Sequence, residues 1–242
     1  MPRFFTNVCL QVGEQLYLPI EVVRHMMVLR LRVGEEVRLF NNDGCDYLAR
    51  ILDLHKREAR VEITGKIDVQ SETNFAITLI ISLIANDKFE LVIQKAVELG
   101  VQKIIPIITE KTQRVKIDRY AGKLEHWQKI IISASEQCGR AKLASISEIK
   151  SMDEALSENK SDINFILSPH HIAKENNLVS DKPYSASLVI GPEGGFTEEE
   201  IQLANQAGFL SLNLGTRILR AETAAITAIS LLHCRFGDFQ IN

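Results

Sequence analysis

The pattern of hydrophobic and polar positions changes character once along the chain, and that change divides it. Over residues 1–70 apolar and polar residues alternate in three runs, Glu36 to Phe40, Cys45 to Leu54 and Ala59 to Ile67. A period of two is that of half-buried strands. Between the first two runs stand Asn41, Asn42, Asp43 and Gly44, which tolerate the positive φ of a hairpin turn. One helix is predicted from about Ile20 to Leu31, ahead of Gly34. It carries Arg24, His25 and Arg32 within an arc of about 100°, with Arg30 opposite Arg24. The polar, aperiodic stretch Val69 to Asn74 marks a boundary, so the expected domains are 1–70, mostly β, and 75–242.

From Phe75 onward, strands and helices alternate. Phe75 to Ile84 is continuously apolar, as a strand buried on both faces is. Asn86 or Asp87 is placed to cap a helix whose Phe89, Val92, Ile93, Ala96 and Val97 share one face, and Gly100 ends it. A strand from Lys103 to Ile108 follows, then a helix from about Asp118 to Cys138. Its stripe of Leu124, Trp127, Ile131, Ala134 and Cys138 reads as core or as a helix partner. Further strands are expected at Ile163 to Ser168, Leu188 to Ile190 and Phe209 to Leu214. Thr197 to Glu200 has the form of a capping box, Gly208 ends that helix, and a last helix rich in small residues starts near Ala221. The alternation predicts an α/β domain with a largely parallel sheet.

Composition narrows the partners. Hydrophobic content of 45% and charged content of 24% are those of a globular protein. The longest apolar run, Phe75 to Ala85, falls far short of the roughly 20 residues that span a bilayer. No secretory pattern opens the chain, and the four cysteines lack redox or metal spacing. A cytoplasmic protein without membrane contact is expected. His170 and His171 are adjacent with no acidic or cysteine cluster at zinc spacing, so they read as a polar loop and no metal is expected. The net charge is −3, yet residues 102–142 hold nine Lys/Arg against four Asp/Glu, while 143–210 hold four against eleven. Such segregation suits a basic face for nucleic acid, or equally two solvated surfaces of opposite sign.

Two glycine-broken loops carry the chemistry. Leu188 to Ile190 breaks into Gly191-Pro192-Glu193-Gly194-Gly195, and the strand ending at Leu214 breaks at Gly215 into Thr216 to Leu219. Loops at the C-terminal ends of strands are where an open α/β sheet binds its ligand. Glycine lets a backbone approach that ligand, leaving N–H and C=O groups free to bond an adenine or ribose. Neither the Gly-Lys-Ser/Thr of a phosphate loop nor the GxGxxG fingerprint is present. The predicted lining is Ile190, Gly191, Pro192, Glu193, Gly194 and Gly195 from the first loop and Leu214, Gly215, Arg217, Ile218 and Leu219 from the second. Leu167 and Ser168 join them at a third strand end.

Those loops, IGPEGGFTEEEI and LGTRILRAETAAITA, resemble the signature of the knotted SPOUT-type methyltransferases, and within them the ribosomal RNA small subunit methyltransferase E family. FELVIQKAVELGV from Phe89, WQKIIISASEQCGR from Trp127 and HMMVLRLRVGEEVRLF from His25 agree, so the resemblance covers nearly the whole chain. It implies transfer of a methyl group from S-adenosylmethionine to N3 of a uridine in 16S rRNA, on free RNA or an assembled subunit. It also implies a trefoil-knotted, mostly parallel sheet with helices on both faces, behind a small PUA-like β-barrel domain that binds RNA. A homodimer whose subunits both contribute to each site is implied as well, with Glu136 to Arg140 near the site.

In-line methyl transfer needs positioning more than covalent help. Uridine N3 must lose a proton, and charge then spreads onto the flanking carbonyls, which an arginine fork stabilises. Arg220 is the expected catalytic residue, with Arg217 beside it. Glu222 is expected to orient an arginine or act as base, or simply to favour the helix N-terminus. Arg3, Arg24, Arg30 and Arg32, with Lys88, Arg114 and Arg140, are the candidate phosphate contacts. Glu136 and Arg140, one turn apart, either belong to the site or form a surface pair. Two other functions stay open: a non-catalytic ribosome-assembly factor that binds RNA, and a SPOUT methyltransferase with another RNA target. Nucleotide hydrolysis is disfavoured because the phosphate-loop lysine is missing.

Overall fold

The three alternating runs become β3 (Glu36–Phe40), β4 (Cys45–Leu54) and β5 (Ala59–Asp68), each antiparallel to the next, in the computed structural model of the chain. The structure describes residues 1–112, 122–158, 161–168 and 183–240. The turn from β3 to β4 closes as its residues require: Asn42 has φ 73°, and Asp43 accepts from the Cys45 N–H at 2.9 Å and the Tyr47 hydroxyl at 2.7 Å. Two short strands that no periodicity announces, β1 (Arg3–Phe5) and β2 (Gln15–Tyr17), complete a mixed sheet of order β1-β3-β4-β5-β2. Phe4, Val37, Leu39, Ala49, Ile51, Val61 and Ile63 from the strands and Val22, Val23 and Met26 from α1 (Ile20–Val28) fill one core. That helix is shorter than expected. Arg30 takes a left-handed φ of 57°, which stops it, so Arg30 and Arg32 lie beyond the helix and do not share its faces with Arg24.

The chain divides into two compact units, Met1–Glu72 with Ser135–Leu143, and Thr73–Ala134 with Ala144–Asn242. The inserted segment is held by the first unit's own charges. Arg3 lies in a bidentate pair with Asp46 (2.8–3.1 Å) and donates to the carbonyls of Ser135 at 2.6 Å and Arg140 at 2.7 Å. Arg140 pairs with Glu72 at 2.8 Å, and the Leu143 N–H reaches Asn42 Oδ1 at 2.7 Å.

In the second unit β6 (Ala76–Ser82), β7 (Lys103–Ile108), β10 (Ile163–Leu167), β11 (Ser185–Ile190) and β12 (Leu210–Leu212) pair in parallel, with β8 (Ser145–Ile146) and β9 (Lys150–Ser151) beside β7. The order is β12-β10-β11-β6-β7-β8. Register places Ile166, Val189, Ile80 and Ile105 in one row across four strands. On that face they share a core with Met152, Ala155 and Leu156 of α4 (Met152–Ser157) and Ile201 and Ala204 of α5 (Glu198–Gln206). Successive strand residues point to opposite faces. Phe165, Leu188, Leu79 and Ile104 therefore form the opposing row, on the side where α6 (Ala221–Phe236) packs on β11 and against α2 (Asn86–Glu98). Beyond α2 runs α3 (Lys123–Cys138), whose Trp127 stacks obliquely on Phe89 at 4.8 Å. A parallel sheet covered by helices on both faces results. The helix from Asn86 is not capped by a side chain. Ala85 occupies the cap position, and the Asn86 amide turns to Glu90 instead.

Candidate active site

The described residues that follow β7, β11 and β12, with Leu167 and Ser168 at the C-terminal end of β10, surround a cleft of about 490 Å³. That volume is within the usual range of small-molecule sites. β11 is followed in sequence by β12, which lies on the far side of β10, so the two glycine loops flank a strand from an earlier part of the chain. Leu167, Ser168, Ile190, Gly191, Pro192, Glu193, Gly194, Gly195, Leu214, Gly215, Arg217, Ile218 and Leu219 all line this cleft, as does Arg220. Leu167, Ile190, Leu212 and Leu214 give it apolar walls, while Glu193 and Arg217 bring charge.

Local structure fixes the loop between β11 and α5. Thr197 accepts from the Glu200 N–H at 3.3 Å, and the Glu200 carboxylate accepts from the Thr197 N–H at 2.9 Å, so the capping box starts α5 immediately after the cleft. Gly191 cannot carry a side chain without moving Phe196, because a Cβ there would meet the ring at 3.0 Å. Gly195 has φ 65° and open space around the position of a Cβ, so here the backbone conformation and not crowding calls for glycine. Both features leave a bare backbone facing the cleft.

Arg220 holds the N-cap position of α6 but makes no side-chain cap bond. Arg217 and Arg220 are exposed and have no ion partner among the described residues, and Ile218 between them is 82% exposed. Glu222, in the first turn of α6, is 12% exposed, and its ion partner is Lys88 at 4.0 Å rather than either arginine. The side-chain amine of Lys88 also lies 3.8 Å from Asp87. The cleft is thus lined by two exposed guanidinium groups without an ion partner among the described residues, and Glu222 is not part of its lining.

Sequence reading missed Lys111, Phe196, Glu198, Ile201, Leu212, Ala221 and Ala224, which also line the cleft. Ala221 and Ala224, one turn apart in a helix dense in small residues, could have been found by asking where a ligand needs close approach. Lys111 had no local signal. Only the rule that every parallel strand end contributes a loop points to it.

The candidate phosphate contacts separate. Arg24, Arg30 and Arg32 are exposed, and Lys88 partly so. Arg3 and Arg140 turn inward, with 8% and 4% of their side chains exposed, and are engaged by Asp46 and Glu72. Their donors point at protein oxygens and not at solvent, which removes them as phosphate contacts. Arg114 and His170-His171 lie outside the described residues. Glu136 and Arg140 do not form a surface pair. Glu136 accepts from the Phe5 N–H at 3.0 Å and lies 3.7 Å from His25 Nδ1. Burial pushes its carboxyl above the ordinary range, against the opposing pull of the Phe5 N–H, His25 and Arg3. No group of three or more His, Cys, Asp or Glu that could hold a metal occurs among the described residues, and no helix there is long and apolar enough to cross a membrane.

Comparison with known proteins agrees with this architecture. The family model for an RNA methyltransferase domain matches residues 71–233, and that for an RNA methyltransferase PUA domain matches 19–64. Ribosomal RNA small subunit methyltransferase E of Buchnera aphidicola is 34% identical over 98% of this chain and 98% of its own. That of Rickettsia conorii is 36% identical over 94% of this chain and 93% of its own. A crystal structure of the Neisseria gonorrhoeae protein of the same name, bound to S-adenosylmethionine, superposes with a TM-score of 0.92 at 39% identity, covering 99% of this chain and 100% of that one.

Proposed function

Because the chain belongs to the ribosomal RNA small subunit methyltransferase E family, we propose that it transfers the methyl group of S-adenosylmethionine to N3 of a uridine in 16S rRNA. The observation that carries the reading is the glycine-walled cleft at the ends of parallel strands, with Arg217 and Arg220 exposed at its mouth and without an ion partner among the described residues. Bare backbone at Gly191 and Gly195 suits the hydrogen-bonding edge of an adenine and a ribose, and the leucine walls suit the adenine faces. Bound S-adenosylmethionine supplies an electrophilic methyl on a sulfonium.

The protein's own part is to hold two reactants in line and to stabilise charge. Arg220 meets the uracil carbonyl oxygen that gains negative charge as N3 loses its proton, a contact that strengthens toward the transition state. Glu222, in the first turn of α6 and 4.0 Å from Lys88, receives that proton directly or through water. Exposed Arg24, Arg30 and Arg32 in the PUA-like domain and Lys88 in the methyltransferase domain bind phosphates. The same reading places the enzyme in the cytoplasm as a homodimer, with the cleft loops threaded as a trefoil knot. Half-exposed Leu231 on α6 supports a second copy as its cover.

Mass mapping of methylated nucleotides in 16S rRNA from a deletion strain, with and without the gene restored, tests the assignment. One N3-methyluridine should vanish and return. A different missing mark would mean another RNA target. An unchanged map together with no heat of S-adenosylmethionine binding would favour an RNA-binding assembly factor.

A further inference from the structure

One element of the cleft wall belongs to no motif: the turn Thr109-Glu110-Lys111-Thr112 that follows β7. Each of its residues is tied down separately. The hydroxyls of Thr109, Thr112 and Ser82, the last at the end of β6, close a triangle of hydrogen bonds of 2.8, 2.9 and 3.1 Å, and the Thr109 N–H donates to Thr112 Oγ1 at 2.9 Å. Ser82 and Thr109 are buried, so this triangle anchors the turn to the sheet. The Glu110 N–H donates at 2.7 Å to the Glu200 carboxylate, the group that also closes the capping box of α5. Lys111 Nζ donates at 3.0 Å to the Phe196 carbonyl. The stem of Lys111 fills the place a side chain at Gly194 would take, since a Cβ there would come within 3.2 Å of Lys111 Cβ and 3.4 Å of Cδ. The turn grips the Gly191–Phe196 loop along one side and the start of α5 at its end.

We infer that Lys111 is a positioning residue for the cofactor: its ammonium holds the Phe196 carbonyl and keeps the glycine loop in its ligand-accepting shape before the ligand arrives. The inference rests on the reading of the cleft as the S-adenosylmethionine site. Each of the three glycines in this five-residue segment loses more backbone freedom on ordering than any other residue type would. Unless something outside the loop holds it, that ordering is subtracted from the affinity for the ligand. The loop's own structure supplies one internal tie, the Gly195 N–H to the Pro192 carbonyl at 2.9 Å. The Lys111 bond is the tie from outside, carried by a turn that the hydroxyl triangle makes rigid. Because the stem covers Gly194 while the ammonium reaches Phe196, the two functions of the side chain are separable. Methionine keeps the packing and removes the donor, and arginine keeps a donor.

Calorimetric titration of the full-length protein with S-adenosylmethionine, together with hydrogen exchange of the 191–196 amides without ligand, tests this. Lys111→Met should weaken binding about tenfold, the size of one net hydrogen bond lost. It should also speed exchange of the loop amides in the free protein and leave the melting temperature close to wild type. Lys111→Arg should recover most of the affinity. Equal affinity in Lys111→Met and wild type would overturn the inference. So would lost affinity with unchanged loop exchange, because Lys111 would then act by touching the ligand itself. If the Met variant fails to fold, Lys111→Gln carries the same measurements. A wild type that binds no S-adenosylmethionine would overturn the reading of the cleft, while the exchange arm would still decide whether Lys111 orders the loop.

Discussion

Arginine is charged at every accessible pH, so what distinguishes the arginines of this chain is what each one faces. Arg3 faces Asp46, itself only 2% exposed, and removing it leaves that carboxylate buried with Arg38 at 3.6 Å as its remaining partner. Arg3→Ala should therefore cost about 3 kcal/mol of stability, the lower end for breaking a buried pair. Chemical denaturation measures it, and an unchanged midpoint would show that the pair matters little. Arg220 faces solvent at the mouth of the cleft and has no ion partner among the described residues. Arg220→Ala should leave the fold and S-adenosylmethionine affinity nearly intact, yet slow single-turnover methylation roughly a hundredfold, as when one preorganised charge-stabilising donor is removed. Arg220→Lys should recover part of that, because an ammonium lacks the planar fork. A variant that binds cofactor poorly but methylates normally when saturated would assign Arg220 to structure instead. Nothing in the sequence separates these two arginines beyond Arg220's place after a glycine loop. Their opposite burial depends on partners 43, 132 and 137 residues away in one case and on none among the described residues in the other.

At the scale of elements, what was legible is what local chemistry decides. The capping box of α5, the Asn/Asp/Gly turn between β3 and β4 and the apolar face of α2 are written in adjacent residues, and each is present. The end of α1 was not legible, because it turns on Arg30 adopting a left-handed conformation that L-residues seldom take. Strands β1 and β2 are three residues each, too short for a period to show. Ser135–Leu143 joins the first unit through Arg3, Asn42 and Glu72, all distant in sequence. Glu136 in this segment gives a test by pH. Its carboxyl titrates above the ordinary 4.5 because burial outweighs the Phe5 N–H, His25 and Arg3. The folded state therefore holds the proton more tightly than the unfolded one. The stability this contributes is complete below about pH 4.5 and is lost as pH rises through the folded value. Glu136→Gln keeps an acceptor for the Phe5 N–H and removes the charge. Its melting temperature should gain on wild type as pH is raised from about 4 to 7. A constant difference across that range would show that the carboxylate is not strained by its burial.

For the whole molecule, the cleft and the RNA surface depend on charge and topology in different ways. Four strand ends meet at the cleft, so its glycine loops could be found from sequence, while Lys111 required knowing that β7 lies in the same sheet two strands from β11. The proposed RNA surface must overcome a net charge of −3, and the exposed Arg24, Arg30 and Arg32 assigned to it lie in a stretch, residues 22–34, that contains no acid. Each phosphate contact releases condensed counterions, and affinity falls with salt at a slope of about 0.7 to 0.9 per contact. Arg24→Ala and Arg32→Ala should each weaken binding to the 16S rRNA substrate and flatten the slope of log affinity against log salt by about one contact. The double variant should flatten it by about two, because independent contacts add. Cofactor affinity should not change. Lys88→Ala should flatten the slope less, since Asp87 and Glu222 already draw on its charge. Filter-binding titrations between about 50 and 200 mM salt measure all of these. Arg3→Lys supplies the control, because its charge stays inside the ion pair with Asp46 and the salt slope should match wild type. If Arg24→Ala and Arg32→Ala also matched wild type, RNA would have to be held by another face of the molecule.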